Sequence, residues 1–141
     1  MSLLGERERA AVREQFQRLE NPVKLIHFTQ ELMCETCPET KKLLEEVASL
    51  SDKITLEVHN FTLEREIAAQ YGVDKVPATV VEGQRKYGIR FYGLPSGYEF
   101  ASLLHAILAA SHSTSGLTEA SKLQLRSITT PTHIQVFVTP T

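Results

Sequence analysis

Cys34 and Cys37 are the only two cysteines in the chain, and they stand three positions apart. The run ahead of them, Val23 to Thr29, is short, apolar and rich in strand-favouring residues, so it reads as a buried strand. The stretch behind them, Pro38 to Leu50, carries Leu43, Leu44, Val47 and Leu50 on one helical side. A buried strand, a C-x-x-C and a helix in direct succession leave few arrangements open. The strand must be covered on both faces, so it needs neighbouring strands beside it and helices above and below. A chain of 141 residues is long enough to supply them around one core.

The same context gives the cysteines a chemistry. A helix N-terminus carries a partial positive charge and free N–H groups. Cys34 is expected beside it, where a thiolate is stabilised, and thiolate is the attacking species in disulfide exchange. Cys37, one turn further in, is placed to attack a mixed disulfide intramolecularly. Glu35 sets a carboxylate next to Cys34 and opposes thiolate formation, while Thr36 offers a hydroxyl. Both are expected to tune the pair toward the reducing or isomerising part of the range for such motifs, about -270 to about -120 mV. A staple is a weaker explanation, because closing so small a loop is worth roughly 2 kcal/mol, against ~4.7 for a hundred-residue loop. Two further readings stay open. One is a redox-inactive binding module. The other is a metal or iron–sulfur site shared with a second chain, since zinc takes four ligands and His27, His59, His105, His112 and His133 form no second close pair. No metal site within the chain and no bound cofactor are expected.

The rest of the pattern places this unit in an α/β fold. Leu4 to Glu20 predicts a helix ended by Asn21-Pro22. Lys53 to His59 predicts a strand with Ile54, Leu56 and Val58 facing one way. Thr62 to Tyr71 predicts a helix closed by Gly72. Ala78 to Glu82 and Gly88 to Tyr92 predict two short strands joined by Gly83-Gln84-Arg85-Lys86. Phe100, Leu103, Leu104, Ile107 and Leu108 mark an amphipathic helix, with Ser96 and Glu99 as its capping box. Helix, then β-α-β-α-β-β-α, is the order of a thioredoxin-like fold. It gives a four-stranded mixed sheet flanked by helices, with an added N-terminal helix.

Two segments beyond the cysteines bear on a site. Val76-Pro77 precedes a strand, and X-Pro bonds admit the cis form at low cost. A cis proline there sets a backbone edge beside the cysteines for a substrate strand. Gly93-Leu94-Pro95-Ser96-Gly97 permits close backbone approach and leads into a helix. His27 reads as a packed core residue, His59 as nearer the site and His105 as structural. The strand before the motif offers His27 and Phe28 but no carboxylate, so no proton acceptor for Cys37 is named by the sequence.

The formal net charge of -2 and the pI of about 6.2 give no basic excess for nucleic acid or an anionic membrane. No apolar run reaches the ~18–20 residues of a membrane span. Met1 to Glu20 is dense in Glu and Arg and is no signal peptide, so the cytoplasm is expected.

Residues 1–111 form the predicted unit and 112–116 a small polar linker. Leu117 to about Ile128 then predicts a helix, and Thr130-Pro131 precedes an apolar strand, Ile134 to Val138. This repeats the opening of the chain, so 117–141 is read as the opening helix and strand of a truncated second unit. The alternative is a C-terminal helix and strand that pair with the first sheet. A homodimer through the C-terminal strand is also expected.

The motif Cys34-Glu35-Thr36-Cys37, the segment Gly72 to Ala78 and the run GIRFYGLPSGYEF at Gly88 to Phe100 resemble the protein disulfide oxidoreductases of thermophilic bacteria and archaea. These are glutaredoxin-like proteins of two tandem thioredoxin folds. The resemblance implies a dithiol–disulfide oxidoreductase acting on protein thiols and disulfides, with electrons from a reductase. It implies that Cys34 attacks and Cys37 resolves. It also implies a cis peptide before Pro77 and a substrate groove formed by Val76, Pro77 and Gly93. A second C-x-x-C follows the second unit's strand in that family, beyond the last residue of this sequence.

Overall fold

The computed structural model describes residues 1–139. Its elements are α1 (Glu6–Phe16), β1 (Val23–Thr29), α2 (Cys37–Ala48), β2 (Ile54–Asn60), α3 (Arg65–Gln70), β3 (Ala78–Glu82), β4 (Ile89–Tyr92), α4 (Tyr98–His112) and α5 (Glu119–Leu125). One sheet has the order β2-β1-β3-β4. β1 runs parallel to β2 and antiparallel to β3, and β3 runs antiparallel to β4. This is the mixed four-stranded α/β arrangement expected from the element order.

The sheet is sealed on both faces because β1 is apolar on both. Leu25, Ile26 and Phe28 are fully buried. Val23, Leu25 and Val81 face a core built with α1, α2 and α4, including Phe16, Leu44 and Leu103. Ile26, Phe28 and Val80 face a second cluster with Ala68 of α3 and Val73. Each fully buried side chain of this size contributes about 1.5–3 kcal/mol, which makes β1 the organising strand.

Several boundaries differ from the sequence expectation. α1 stops at Phe16, yet Leu19 beyond it is still buried, so the following turn continues the apolar face that the periodicity registered. In β2, Ile54 is buried but Val58 is 39% exposed. β2 is an edge strand, and its outer positions lack the second neighbour that seals β1. Ser96 does not cap α4. Gly97 takes that position at φ 60°, redirecting the chain between Ser96 and Tyr98, and no side chain caps the helix. Instead, the Glu8 carboxylate accepts the Gly5 N–H at 2.8 Å at the start of α1.

The tail differs most. α5 is shorter than predicted and none of its residues is buried. Ile134 to Val138 forms no strand, and Ile134, Val136, Phe137 and Val138 are each at least 78% exposed. A strand needs a neighbour's backbone edge, and neither edge of the sheet takes this segment. The last residues of the predicted second unit, Pro140 and Thr141, lie outside the described residues.

Candidate functional site

The register brings three loops to one end of the sheet. Phe28 of β1 pairs with Ala78 of β3, and Ala78 pairs with Tyr92 of β4. The loop leaving β1 carries Cys34. Pro77 immediately precedes β3, and Gly93 immediately follows β4. The Val76–Pro77 peptide bond is cis. Pro77 is buried and Val76 half-buried. Gly93 has φ 86°, and a Cβ built on it would meet nothing within 4 Å. Its missing side chain therefore leaves open space at this end of the sheet.

Cys34 and Cys37 are joined by a disulfide with their Cα atoms 5.4 Å apart. Cys37 is the first residue of α2 and is fully buried, whereas Cys34 is partly exposed. Pro38 fits the second helical position because no N–H is required there. The Thr40 amide and hydroxyl both donate to the Thr36 carbonyl, at 2.9 and 2.7 Å, which fixes the first turn. Glu35 and Thr36 are exposed beside the disulfide. The helix N-terminus thus holds one sulfur inside and presents the other.

Two features lie beyond the sequence reading. Leu32 and Met33, immediately before Cys34, are 81% and 100% exposed, and Met33 has a left-handed backbone at φ 57°. Two large apolar residues between Thr29 and the motif were the available signal. His27 is a core residue as expected, but its ring is not fully satisfied. Its Nδ1 lies 3.0 Å from the Ala78 carbonyl, and its Nε2 has no hydrogen-bond partner. Burial, joined by the Lys41 charge, lowers its pKa to about 4 against the opposing Ala78 bond.

His59 lies at the end of β2, paired in register with Phe28, and its ring is held by carboxylates. Its Nδ1 lies 2.9 Å from Glu64 and its Nε2 2.8 Å from Glu57, so neither ring nitrogen is left for the cysteines. Burial alone would lower its pKa, but the two carboxylates outweigh that and raise it. His105 lies exposed on α4, on the face away from the core. Among the described residues, no group of three or more His, Cys, Asp or Glu side chains is placed to hold a metal.

A mixed parallel and antiparallel sheet of this order, with a C-x-x-C disulfide at a helix N-terminus, defines the thioredoxin-fold class. The thioredoxin domain family model matches residues 24–105, and the chain belongs to that family. It is 35% identical over 75 residues to thioredoxin of Methanocaldococcus jannaschii, covering 52% of this chain and 82% of that protein. It is 29% identical over 126 residues to an alkyl hydroperoxide reductase protein of Escherichia coli K12, covering 89% of this chain and 22% of that protein. A protein disulfide oxidoreductase from Aeropyrum pernix K1 superposes with TM-score 0.77 at 27% identity, covering 87% of this chain and 54% of that one. The chain thus spans about a fifth of the Escherichia coli protein and about half of the Aeropyrum structure. Among the described residues, no helix is long and apolar enough to cross a membrane.

Proposed function

We propose that this chain is a thiol–disulfide oxidoreductase that acts on protein disulfides through Cys34 and Cys37. The observation that carries it is the asymmetry of the pair. A partly exposed Cys34 is bonded to a fully buried Cys37 at the head of α2, at the sheet end that also holds Pro77 and Gly93. In the reduced protein the Cys34 thiolate attacks a substrate disulfide and expels one substrate thiolate. Cys37 then attacks the Cys34 sulfur, closes the protein disulfide and expels the second. The substrate disulfide gains two electrons and the protein dithiol loses two. Val76, Pro77 and Gly93 form the groove for the substrate backbone, and Glu35 and Thr36 modulate the potential.

An electron-donating reductase returns the pair to the dithiol. The alkyl hydroperoxide reductase relative supports a partner of that kind. The cytoplasm is the compartment that suits a chain with two cysteines held for exchange. Residues 117–141 open a second unit of the same kind. The Aeropyrum match covers 87% of the chain, more than residues 1–111 alone supply, so the likeness extends into the tail. Where no second unit meets it, the apolar tail pairs with another copy of the chain.

Reduction of insulin by dithiothreitol tests the activity. The full chain is expected to accelerate it, and Cys34→Ser to abolish the acceleration. A full chain that leaves the uncatalysed rate unchanged would identify a redox-inactive binding module instead.

A further inference from the structure

His27 is the one described residue with a buried side-chain nitrogen or oxygen that lacks a hydrogen-bond partner. Such a group costs about 1–3 kcal/mol, so its persistence calls for a reason. Its ring state is set by the fold. A carbonyl only accepts, so the Ala78 oxygen at 3.0 Å requires Nδ1 to carry the proton. In the neutral ring Nε2 is then a lone pair, an acceptor with nothing to accept.

The alternation along β1 also fixes the face of the sheet on which the ring lies. Val23 and Leu25 share His27's face of β1, and both pack in the core that contains Leu43, Leu44 and Val47 of α2. His27 lies near the end of β1 from which the C-x-x-C loop leaves. Its register partner Thr79 on β3 is also fully buried, and the Thr79 hydroxyl lies 3.4 Å from Nδ1, on the proton-bearing edge. From α2, the Lys41 charge acts on the ring. Lys41 is one turn beyond Cys37 on the same face of that helix. α2 packs on this same face of the sheet and starts at the end of β1 that carries His27, with the fully buried Cys37 as its first residue. Of the elements around the ring, α2 contributes Lys41 as its charged group, β3 contributes Thr79 and β2 pairs through Val58. Neither of the last two titrates.

Cys37 has the complementary need. In the disulfide its sulfur carries no proton. On reduction, a fully buried thiol gains an S–H donor that must find an acceptor. We infer that His27 is that acceptor: Nε2 takes a hydrogen bond from the Cys37 thiol in the reduced protein and takes its proton when Cys37 attacks Cys34. This rests on the oxidoreductase reading and adds the base for its second step. The proton passes from the Cys37 sulfur to Nε2. The Cys37 electron pair forms the bond to the Cys34 sulfur, the substrate–Cys34 bond breaks, and the substrate leaves as thiolate. The imidazolium then loses its proton to the departing thiolate or to solvent, which restores the neutral ring. Burial and Lys41 keep that ring neutral across the physiological range, so the lone pair is free whenever the dithiol is present.

Single-turnover reaction of the reduced full chain with an aromatic disulfide, whose thiolate product is coloured, separates the two steps. Loading of Cys34 releases the first coloured thiolate, and attack by Cys37 releases the second. His27→Leu is expected to slow the second release at least about tenfold at neutral pH and to move its pH profile upward, toward that of an unassisted thiol. His27→Gln, which keeps an acceptor, is expected to recover part of the rate. A folded His27→Leu with the second release and its pH profile unchanged would overturn the inference. Nitrogen NMR of the unaltered protein tests it without a variant. The His27 Nε2 resonance is expected to move toward the hydrogen-bonded range on reduction, and an identical resonance in both redox states would also overturn it. An unaltered chain that never loads Cys34 would sink the oxidoreductase reading instead, and the nitrogen resonance would still decide the hydrogen bond.

Discussion

The Gly93 amide donates to the Pro77 carbonyl at 2.9 Å, so the residue that follows β4 is tied to the residue that precedes β3. The bond fixes the two walls of the proposed groove relative to each other. It also holds Gly93 at φ 86° with open space where a side chain would stand. Gly93→Ala is therefore expected to act twice. The left-handed backbone costs about 1–2 kcal/mol for a residue with a Cβ, read by urea denaturation. The new methyl projects into the groove and lowers turnover of protein disulfides more than reaction with a small aromatic disulfide. Equal loss with both substrates would place Gly93 outside the groove.

Glu46 anchors the start of the chain to α2. Its carboxylate accepts from the Leu3 and Leu4 amides at 2.6 and 3.0 Å and from the Ser2 hydroxyl at 2.8 Å, with Arg9 at 3.4 Å. Burial by itself would raise its pKa, but these donors and the Arg9 charge together hold it below the usual carboxylate range. A pKa depressed in the folded state gives stability that is present above the unfolded value, about 4.3, and lost as pH falls through the folded one. Glu46→Gln is expected to cost about 1–2 kcal/mol at neutral pH and little in strong acid. A cost that does not change with pH would show that shape, not charge, does the anchoring.

His59 gives the opposite sign. Its imidazolium donates to Glu57 and Glu64, and its ring stacks on Phe28 with centroids 5.4 Å apart. Its pKa is raised in the folded state, so its contribution is full below the unfolded value of about 6.5 and is lost as pH climbs through the folded value. Urea denaturation is expected to show stability declining above that point in the unaltered protein and a flatter profile in His59→Phe. Matching profiles would mean that the two carboxylates do not hold a charged ring.

The legible parts of this fold are those whose causes lie close together in sequence. β3 has the predicted bounds because Pro77 and Gly83 punctuate it at both ends. Gly83 has a further reason to be glycine, since a Cβ there would collide with the Ala110 carbonyl. β1 and the cysteine asymmetry followed from an apolar run and a helix start. The residues that depart from expectation depend on distant partners. Val58 alternates like a core position, but the edge location of β2 leaves it exposed. His27 reads as filler until Ala78, fifty-one positions away, fixes its tautomer. Ile134 to Val138 has strand composition without a strand's partner, and composition alone carries no information about who supplies the edge.

The tail yields the last prediction. Leu123, Leu125 and Ile128 are 65%, 50% and 53% exposed, and Phe137 and Val138 are 89% and 83% exposed. Residues 117–139 therefore add little to the core, which is closed by α1, α2 and α4. Removing residues 117–141 is expected to leave the stability of the remaining unit within about 0.5 kcal/mol, because the contacts that seal the end of α4 lie before the cut. Ser111, fully buried, receives the Glu20 and Asn21 amides at 2.9 and 3.0 Å, and the Tyr87 hydroxyl donates to Ser113 at 3.0 Å. Association is expected to change instead. An exposed apolar run with strand composition seeks another backbone edge, so light scattering of the full chain should show mass rising with concentration. The version ending at Gly116 should stay monomeric. If the shortened protein loses more than about 2 kcal/mol while both versions scatter as monomers, the tail belongs to this unit's own core and not to a partner.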